Sequence, residues 1–271
     1  MEKTGYQNTS SISKAEYHLI NKISESGIIV FGPGEIKKLL ACNNQTAYQL
    51  VYTLNKKGII TKIIDGKYFL SLLSLQPDQL SIASHIVYPS YLSFWTALNF
   101  YQFTEQLPRT IFITTTRTKT PAMIDQTSLK FIKLSTYRFF GYTKKSDIII
   151  ADKEKAIIDS LLLPRYAGGI DEVYKCICNA WNEIDSSILI EYALRMGNSS
   201  LNKRLGYLIE LGIGIGLLAM RPELMEKLRG NIGKGYSKLE PQAPKRGKCE
   251  KKWGLILNID EKKLDEWNKI I

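Results

Sequence analysis

The feature that most constrains this chain is a stretch of about forty residues near its start, from residue 33 to residue 72. Its first part has helical periodicity, with three apolar residues on one face: Ile36, Leu39 and Leu40. A break at residues 42–44 precedes a second helical run from Gln45 to Lys57, and Gly58 is a typical helix stop. Residues 59–64 and 67–70 have strand character on either side of an Asp65-Gly66 turn. This order of elements predicts a winged helix-turn-helix.

The second helix of this motif has two distinct faces. Its apolar stripe consists of Ala47, Leu50, Val51 and Leu54. The outward residues carry amides, hydroxyls and an ammonium group: Gln45, Thr46, Tyr48, Gln49, Tyr52 and Lys56. Such groups bind phosphates and base edges. Since the N-terminal end of this helix enters the major groove in the motif, the expected base readers are Asn44, Gln45, Thr46 and Gln49.

Two lysines flank the predicted wing tip. Lys62 and Lys67 are placed to contact phosphates on either side of it. Two other interpretations fit the same pattern: a small helical domain with a solvated polar face, or a winged helix that contacts protein. The agreement of turn, stop glycine and hairpin favours DNA binding.

Length and charge are consistent with this interpretation. The chain has 271 residues and a formal net charge of +11, which favours an acidic partner, although many basic proteins bind no nucleic acid. We predict an α+β protein of two domains. Residues 1–76 form the winged helix-turn-helix domain and residues 77–271 a larger mixed α/β domain, with a polar linker near residues 72–79.

The sequence suggests neither a metal nor a cofactor. Its four cysteines are scattered, and Cys176 and Cys178 lack zinc-ligand spacing. The first residues lack a signal-peptide core, and no apolar run reaches the ~20 residues of a membrane span. We therefore expect a cytoplasmic protein. The Gly212, Gly214 and Gly216 series follows a helix rather than a strand, so we interpret it as a helix stop and hairpin.

Local patterns give further expectations for the helices. Ser13 and Glu16 form a capping box for a helix that ends at Gly27. Its expected buried stripe is Tyr17, Ile20 and Ile23. In the second domain, Asp152 is the expected cap of a helix over residues 153–163, and Asp260 of a final one.

Strands are expected at several apolar runs. The runs are 28–31, 86–88, 110–116, 131–134, 138–140, 148–150 and 253–257.

Two carboxylates and a lysine offer a test of enzyme chemistry: Asp152, Lys155 and Asp159 share one helix face. A nuclease needs carboxylates and a lysine that converge from adjacent strands on a metal, which this spacing does not provide. We therefore expect no catalytic residues.

Residues 88–99 and 150–159 of the second domain, together with several shorter blocks, resemble parts of the AbiEi-type antitoxins of abortive-infection systems. Residues 88–99 resemble that family's Y-x-S-x-x-S-A-L block, and residues 150–159 its v-A-x-x-E-K-A-l-x-D helix. Further blocks lie at 107–109, 114–116, 164–169, 203–207 and 253–258. A winged helix before this domain is the family's usual layout, so the resemblance spans nearly the whole chain.

The resemblance implies a protein without enzymatic activity. Such proteins bind inverted repeats in their own promoter as repressors, and their second domain opposes a nucleotidyltransferase toxin of the AbiEii type without a stable complex. The candidate antitoxin surface is Ser93, Arg109, Asp152, Lys155 and Asp159. Helix packing and capping are the alternative roles of these residues.

Two other functions remain open at this point. One is a metal-dependent nuclease that the first domain targets to DNA, and the other is a transcription factor that senses a small ligand.

Overall fold

The structure is a computed structural model that describes residues 11–71, 77–124, 126–260 and residue 264. It is a mixed α and β protein. Chain contacts divide it after Ile86: the described residues up to Ile86, with residues 122–124 and 126, form the first unit, and the others form the second. The predicted boundary after residue 76 lies outside the described residues.

The described residues contain helices and strands in both units. The α-helices are α1 Lys14–Ser26, α2 Pro33–Leu40, α3 Asn44–Lys56, α4 Gln79–His85, α5 Phe94–Phe100, α6 Lys153–Leu162, α7 Ile170–Ala180, α8 Ser186–Arg195, α9 Ser199–Gly214 and α10 Pro222–Arg229. The strands are β1 Ile60–Ile64, β2 Lys67–Leu70, β3 Ser90–Leu92, β4 Thr110–Thr115, β5 Ala122–Ile124, β6 Thr127–Lys133, β7 Tyr142–Lys145, β8 Ile148–Ala151, β9 Ser237–Lys238, β10 Lys248–Glu250 and β11 Leu255–Leu257.

In the first unit, three helices precede the β1–β2 hairpin. Ser13 and Glu16 form the predicted capping box of α1, and Gly27 ends the helix in the left-handed region at φ 64°. Gly66 occupies the hairpin turn at φ 72°, a conformation that L side chains rarely adopt. Residues 28–31 form no full strand: Phe31 alone pairs with Tyr68.

The core of the first unit lies between these helices and the hairpin. It includes Leu19, Ile23, Ile36, Leu54 and Ile60, all fully or almost fully buried. The expected stripe of α1 was wrong at Tyr17, which is 61% exposed. Leu19 and Glu16 lie on the buried side instead. Burial of the Glu16 carboxylate is possible because the Lys57 ammonium group pairs with it.

The second unit is built around a mixed sheet. Five of its strands lie in the order β6-β4-β3-β8-β7. The pairs β4–β6 and β3–β8 are parallel, whereas β3–β4 and β7–β8 are antiparallel. Helices α5 and α6 follow β3 and β8 directly, so the residues at those two junctions come together.

Two further expectations were wrong. Residues 86–88 are not a strand, because α4, which Asp78 caps, ends at His85 and the chain then bends into β3. Residues 138–140 leave a 3-10 turn over Thr136–Arg138, and their apolar character reflects burial of Phe140 rather than pairing.

The end of one helix also differs from expectation. Helix α9 continues through Gly212 to Gly214 before it stops. The expected final helix after Asp260 lies almost entirely outside the described residues. Where the structure describes the chain, no helix has both the length and the apolar character needed to span a membrane.

Candidate nucleic-acid interface and a buried polar cluster

Helix α3 presents a polar face to solvent. Its apolar stripe of Ala47, Leu50, Val51 and Leu54 is buried, as the sequence predicts. The predicted reading side is exposed at every position: Asn44, Gln45, Thr46, Tyr48, Gln49, Tyr52 and Lys56. Tyr48 and Tyr52 are 64% and 67% exposed, so two aromatic rings lie on this face without a place in the core.

The N-terminal end of α3 has the electrostatics of an anion-binding end. The side chain of Asn43 accepts a hydrogen bond from the Thr46 N–H at 2.8 Å, which caps the helix. The first turn contains no acidic residue. Because helix N-termini carry a partial positive charge and free N–H groups, this end is suited to a phosphate.

Both predicted wing lysines have carboxylate partners. Lys62 lies 2.6 Å from Asp65 across the hairpin turn, with both groups largely exposed. Lys67 lies 3.2 Å from Glu35 at the start of α2, and these groups are less exposed. An exposed ion pair contributes little free energy, so Lys62 can exchange Asp65 for a phosphate at small cost.

A groove of about 330 Å³ lies between α1 and α3. Its lining includes Thr46 and Gln49 of the reading side, and the ion pair between Glu16 and Lys57. The Lys57 ammonium group lies 2.6 Å from the Glu16 carboxylate and 3.0 Å from the Ser11 carbonyl oxygen. This ion pair ties the start of α1 to the C-terminal end of α3.

The environment of Glu16 shifts its pKa. Burial by itself raises this pKa, but hydrogen bonds from Lys57 and from the Ser13 N–H outweigh that effect and lower the pKa from 4.5 to about 2. The carboxylate is therefore charged at any physiological pH.

A pH-dependent loss of stability follows from this shift. Since the folded-state pKa is below the unfolded value, the contribution of Glu16 is complete above pH 4.5 and is lost as the pH falls toward about 2. Glu16→Gln retains an acceptor for the Ser13 N–H and should lower the free energy of unfolding at pH 7 by about 1–2 kcal/mol. Urea unfolding should show a smaller difference in the free energy of unfolding between wild type and Glu16→Gln at pH 3 than at pH 7. An equal difference at both pH values would contradict the lowered pKa of Glu16.

The second unit contains a fully buried polar cluster where β3 meets α6. Asp159 accepts hydrogen bonds from the Tyr91 hydroxyl at 3.0 Å and the Ser93 hydroxyl at 2.7 Å, and it forms an ion pair with Lys155. Lys155 also donates to the Tyr91 oxygen at 3.0 Å. All four side chains are buried. Burial lowers the pKa of Lys155, although the attraction of Asp159 opposes this shift.

This burial corrects the predicted antitoxin surface. Ser93, Lys155 and Asp159 have no exposed area, so they lie inside the protein rather than on a surface. The reason is that their charges and hydroxyls satisfy one another within the core. Arg109 is exposed, and Asp152 is half-buried. Asp152 precedes α6 but makes no side-chain cap; its carboxylate accepts from the Tyr192 hydroxyl at 3.1 Å.

Some of these contacts carried no local signal in the sequence. Tyr91 lies 68 residues before its partner Asp159, and Glu35 lies 32 residues before Lys67. Among the residues that the structure describes, no three His, Cys, Asp or Glu side chains come together in an arrangement that can hold a metal ion.

Comparisons with known proteins bear on the fold. No family model and no curated protein matches the sequence. Among solved structures, the crystal structure of the RV2827C protein from Mycobacterium tuberculosis is similar, with a TM-score of 0.56 and 11% sequence identity. The similarity covers 91% of this chain and 92% of that chain. At this identity, the similarity shows that the two chains share a fold.

Proposed function

We propose that the first unit is a winged helix-turn-helix that binds duplex DNA, and that the protein represses its own promoter in the cytoplasm. The observation that carries this proposal is the exposed polar face of α3, whose amides and hydroxyls have no role in the core. Glutamine and asparagine amides match the donor and acceptor pair of adenine in the major groove. The target is an inverted repeat, as the family resemblance implies.

The lysines of the first unit support the same proposal. Residues 11–71 contain eight lysines and four acidic residues, and three of those acids pair with Lys57, Lys62 and Lys67. Five exposed lysines form no ion pair with any described residue: Lys14, Lys22, Lys37, Lys38 and Lys56. This excess of positive charge suits a phosphate backbone.

The experiment uses the full chain and a duplex from upstream of its own reading frame. Fluorescence anisotropy should give an affinity for this duplex at least about 10³-fold tighter than for a shuffled sequence of equal length. Equal affinity for the two duplexes would overturn sequence-specific repression, and no binding to either would overturn the DNA-binding proposal.

The contact proposed for Lys62 can be tested through salt. Because each neutralised phosphate releases counterions, Lys62→Ala should reduce the slope of log affinity against log salt by about one unit. Asp65→Asn is the control, since it removes the partner but retains the lysine, and we expect the wild-type slope. An unchanged slope in Lys62→Ala would exclude the phosphate contact.

We propose further that the second unit is an antitoxin module acting against a nucleotidyltransferase toxin. The support is the ordered series of sequence blocks that resemble AbiEi-type antitoxins, which includes residues 150–159. Co-expression of this chain with the product of an adjacent nucleotidyltransferase-like reading frame should relieve the toxicity of that product. The two proteins should not co-purify as a stoichiometric pair, and recovery of such a pair would contradict this mode of action.

A further inference from the structure

The wing is attached to the start of α2 by three neighbouring contacts. Phe31 and Tyr68 exchange both backbone hydrogen bonds of a bridge, at 2.9 and 2.8 Å. Gly32 comes next, and a Cβ atom built on it would lie only 2.2 Å from the carbonyl oxygen of Gly66 at the hairpin turn. The third contact is the ion pair between Glu35 and Lys67. The hairpin turn is thus held against the residues that begin α2.

Glu35 joins two of these elements through a single carboxylate. Its Oε2 accepts the Gly32 N–H at 2.8 Å, and this bond satisfies a donor at the helix start. Its Oε1 accepts from the Lys67 ammonium group at 3.2 Å. Burial by itself raises the pKa of Glu35, but the hydrogen bond and the charge of Lys67 outweigh it and lower the pKa. Glu35 therefore remains a charged bridge between α2 and the wing.

We infer that Glu35 is a positioning residue for DNA binding: with Lys67 as its partner and Gly32 as the point of close approach, it fixes the wing tip relative to α2. The inference rests on the proposed function and deepens it. Helix α2 packs against α3 in the first unit, so a wing that is fixed on α2 is also fixed relative to α3. Lys67 then acts through the ion pair and leaves phosphate contact at the wing to Lys62.

Charge variants separate positioning from phosphate contact. Glu35→Gln retains an oxygen for the Gly32 N–H but loses the ion pair, and Lys67→Met removes the ammonium group. Each should weaken binding to the upstream duplex about three- to tenfold, with no change in salt slope, because the wing loses its preset position. The double variant should bind as each single variant does, since both remove the same contact.

A direct contact between Lys67 and phosphate predicts different results for these two variants. If Lys67 contacts phosphate directly, Glu35→Gln frees the lysine and removes a nearby negative charge, so binding becomes tighter. Lys67→Met then lowers the salt slope by about one unit. Either result would overturn the positioning role.

A glycine pair provides a steric test with a matched control. Gly32→Ala must displace the turn at Gly66, whereas Gly34→Ala lies in the first turn of the same helix with no atom within 4 Å of the added carbon. We expect weaker DNA binding for Gly32→Ala alone. Thermal unfolding of each variant checks that the first unit remains folded, and Glu35→Gln supplies the answer if Gly32→Ala does not fold.

Hydrogen exchange tests the positioning role without DNA. The Phe31 and Tyr68 amides should exchange faster in Gly32→Ala and Glu35→Gln than in wild type or Gly34→Ala, because their bridge loses its support. Unchanged exchange in both variants would overturn the inference. If the wild-type protein shows no preference for the upstream duplex, the proposed function fails, while the exchange result still decides whether Glu35 fixes the wing.

Discussion

Replacing Asp159 with alanine should lower the free energy of unfolding of the second unit by about 3–5 kcal/mol. The change leaves the Lys155 ammonium group without its ion-pair partner in a fully buried position. It also removes the acceptor of the Tyr91 and Ser93 hydroxyls, at 3.0 and 2.7 Å. Buried donors without partners are costly, because they were hydrogen-bonded to water in the unfolded chain.

Urea unfolding of the full chain, followed by hydrogen exchange in α6, measures this loss. Glu183→Ala is the matched control, since it breaks an ion pair with Lys153 whose groups are 32% and 53% exposed, and it should cost less than about 1 kcal/mol. A loss below about 1 kcal/mol for Asp159→Ala would contradict the role of this cluster in the core.

A double variant in the same cluster tests whether a loss of antitoxin activity is caused only by a loss of the fold. The double variant Lys155→Met and Asp159→Leu leaves no unpaired buried charge, although the Tyr91 and Ser93 hydroxyls still lose their acceptor. We expect it to fold better than Asp159→Ala and to regain protection against the toxin together with its fold. Recovery of the fold without protection would assign the ion pair a direct part in antitoxin action.

Gln45→Ala and Gln49→Ala should each weaken binding to the upstream duplex by about 1–3 kcal/mol, with little change on unrelated DNA. Both side chains are exposed on the reading side of α3, so their loss removes hydrogen bonds to bases without disturbing the buried stripe. Anisotropy titrations on both duplexes at a fixed salt concentration measure the two affinities.

A third position on the same helix gives the control for this test. Asn55 is exposed near the C-terminal end of α3, away from the end proposed to enter the groove, so Asn55→Ala should retain wild-type affinity. Equal losses on both duplexes in the glutamine variants would reassign Gln45 and Gln49 to phosphate contact.

The sequence was sufficient for α1 to α3 and the β1–β2 hairpin because their signals are local. The spacing of Ala47, Leu50, Val51 and Leu54 fixes one face of a helix, and all four are buried. Ser13 and Glu16 lie three residues apart, and their capping box forms as expected. The exposed side of α3 follows from the same periodicity, so the exposure of the candidate reading residues follows from their spacing in the chain.

Tertiary structure alone decided how side chains far apart in the chain are paired. Tyr17 looked like a core residue, yet Glu16 is buried because Lys57, 41 residues later, supplies its partner. Apolar residues at 86–88 and 138–140 mimic strands, because burial selects the same residue types whether or not the backbone pairs.

The sequence by itself therefore determined the mixed α and β class, the order of helices and hairpin in the first unit, and the exposed polar face of α3. Only the tertiary structure placed Ser93, Lys155 and Asp159 inside the protein and joined Glu35 to Lys67. Periodicity and caps act over a few residues and can be read along the chain, whereas ion pairs between distant elements depend on how those elements pack.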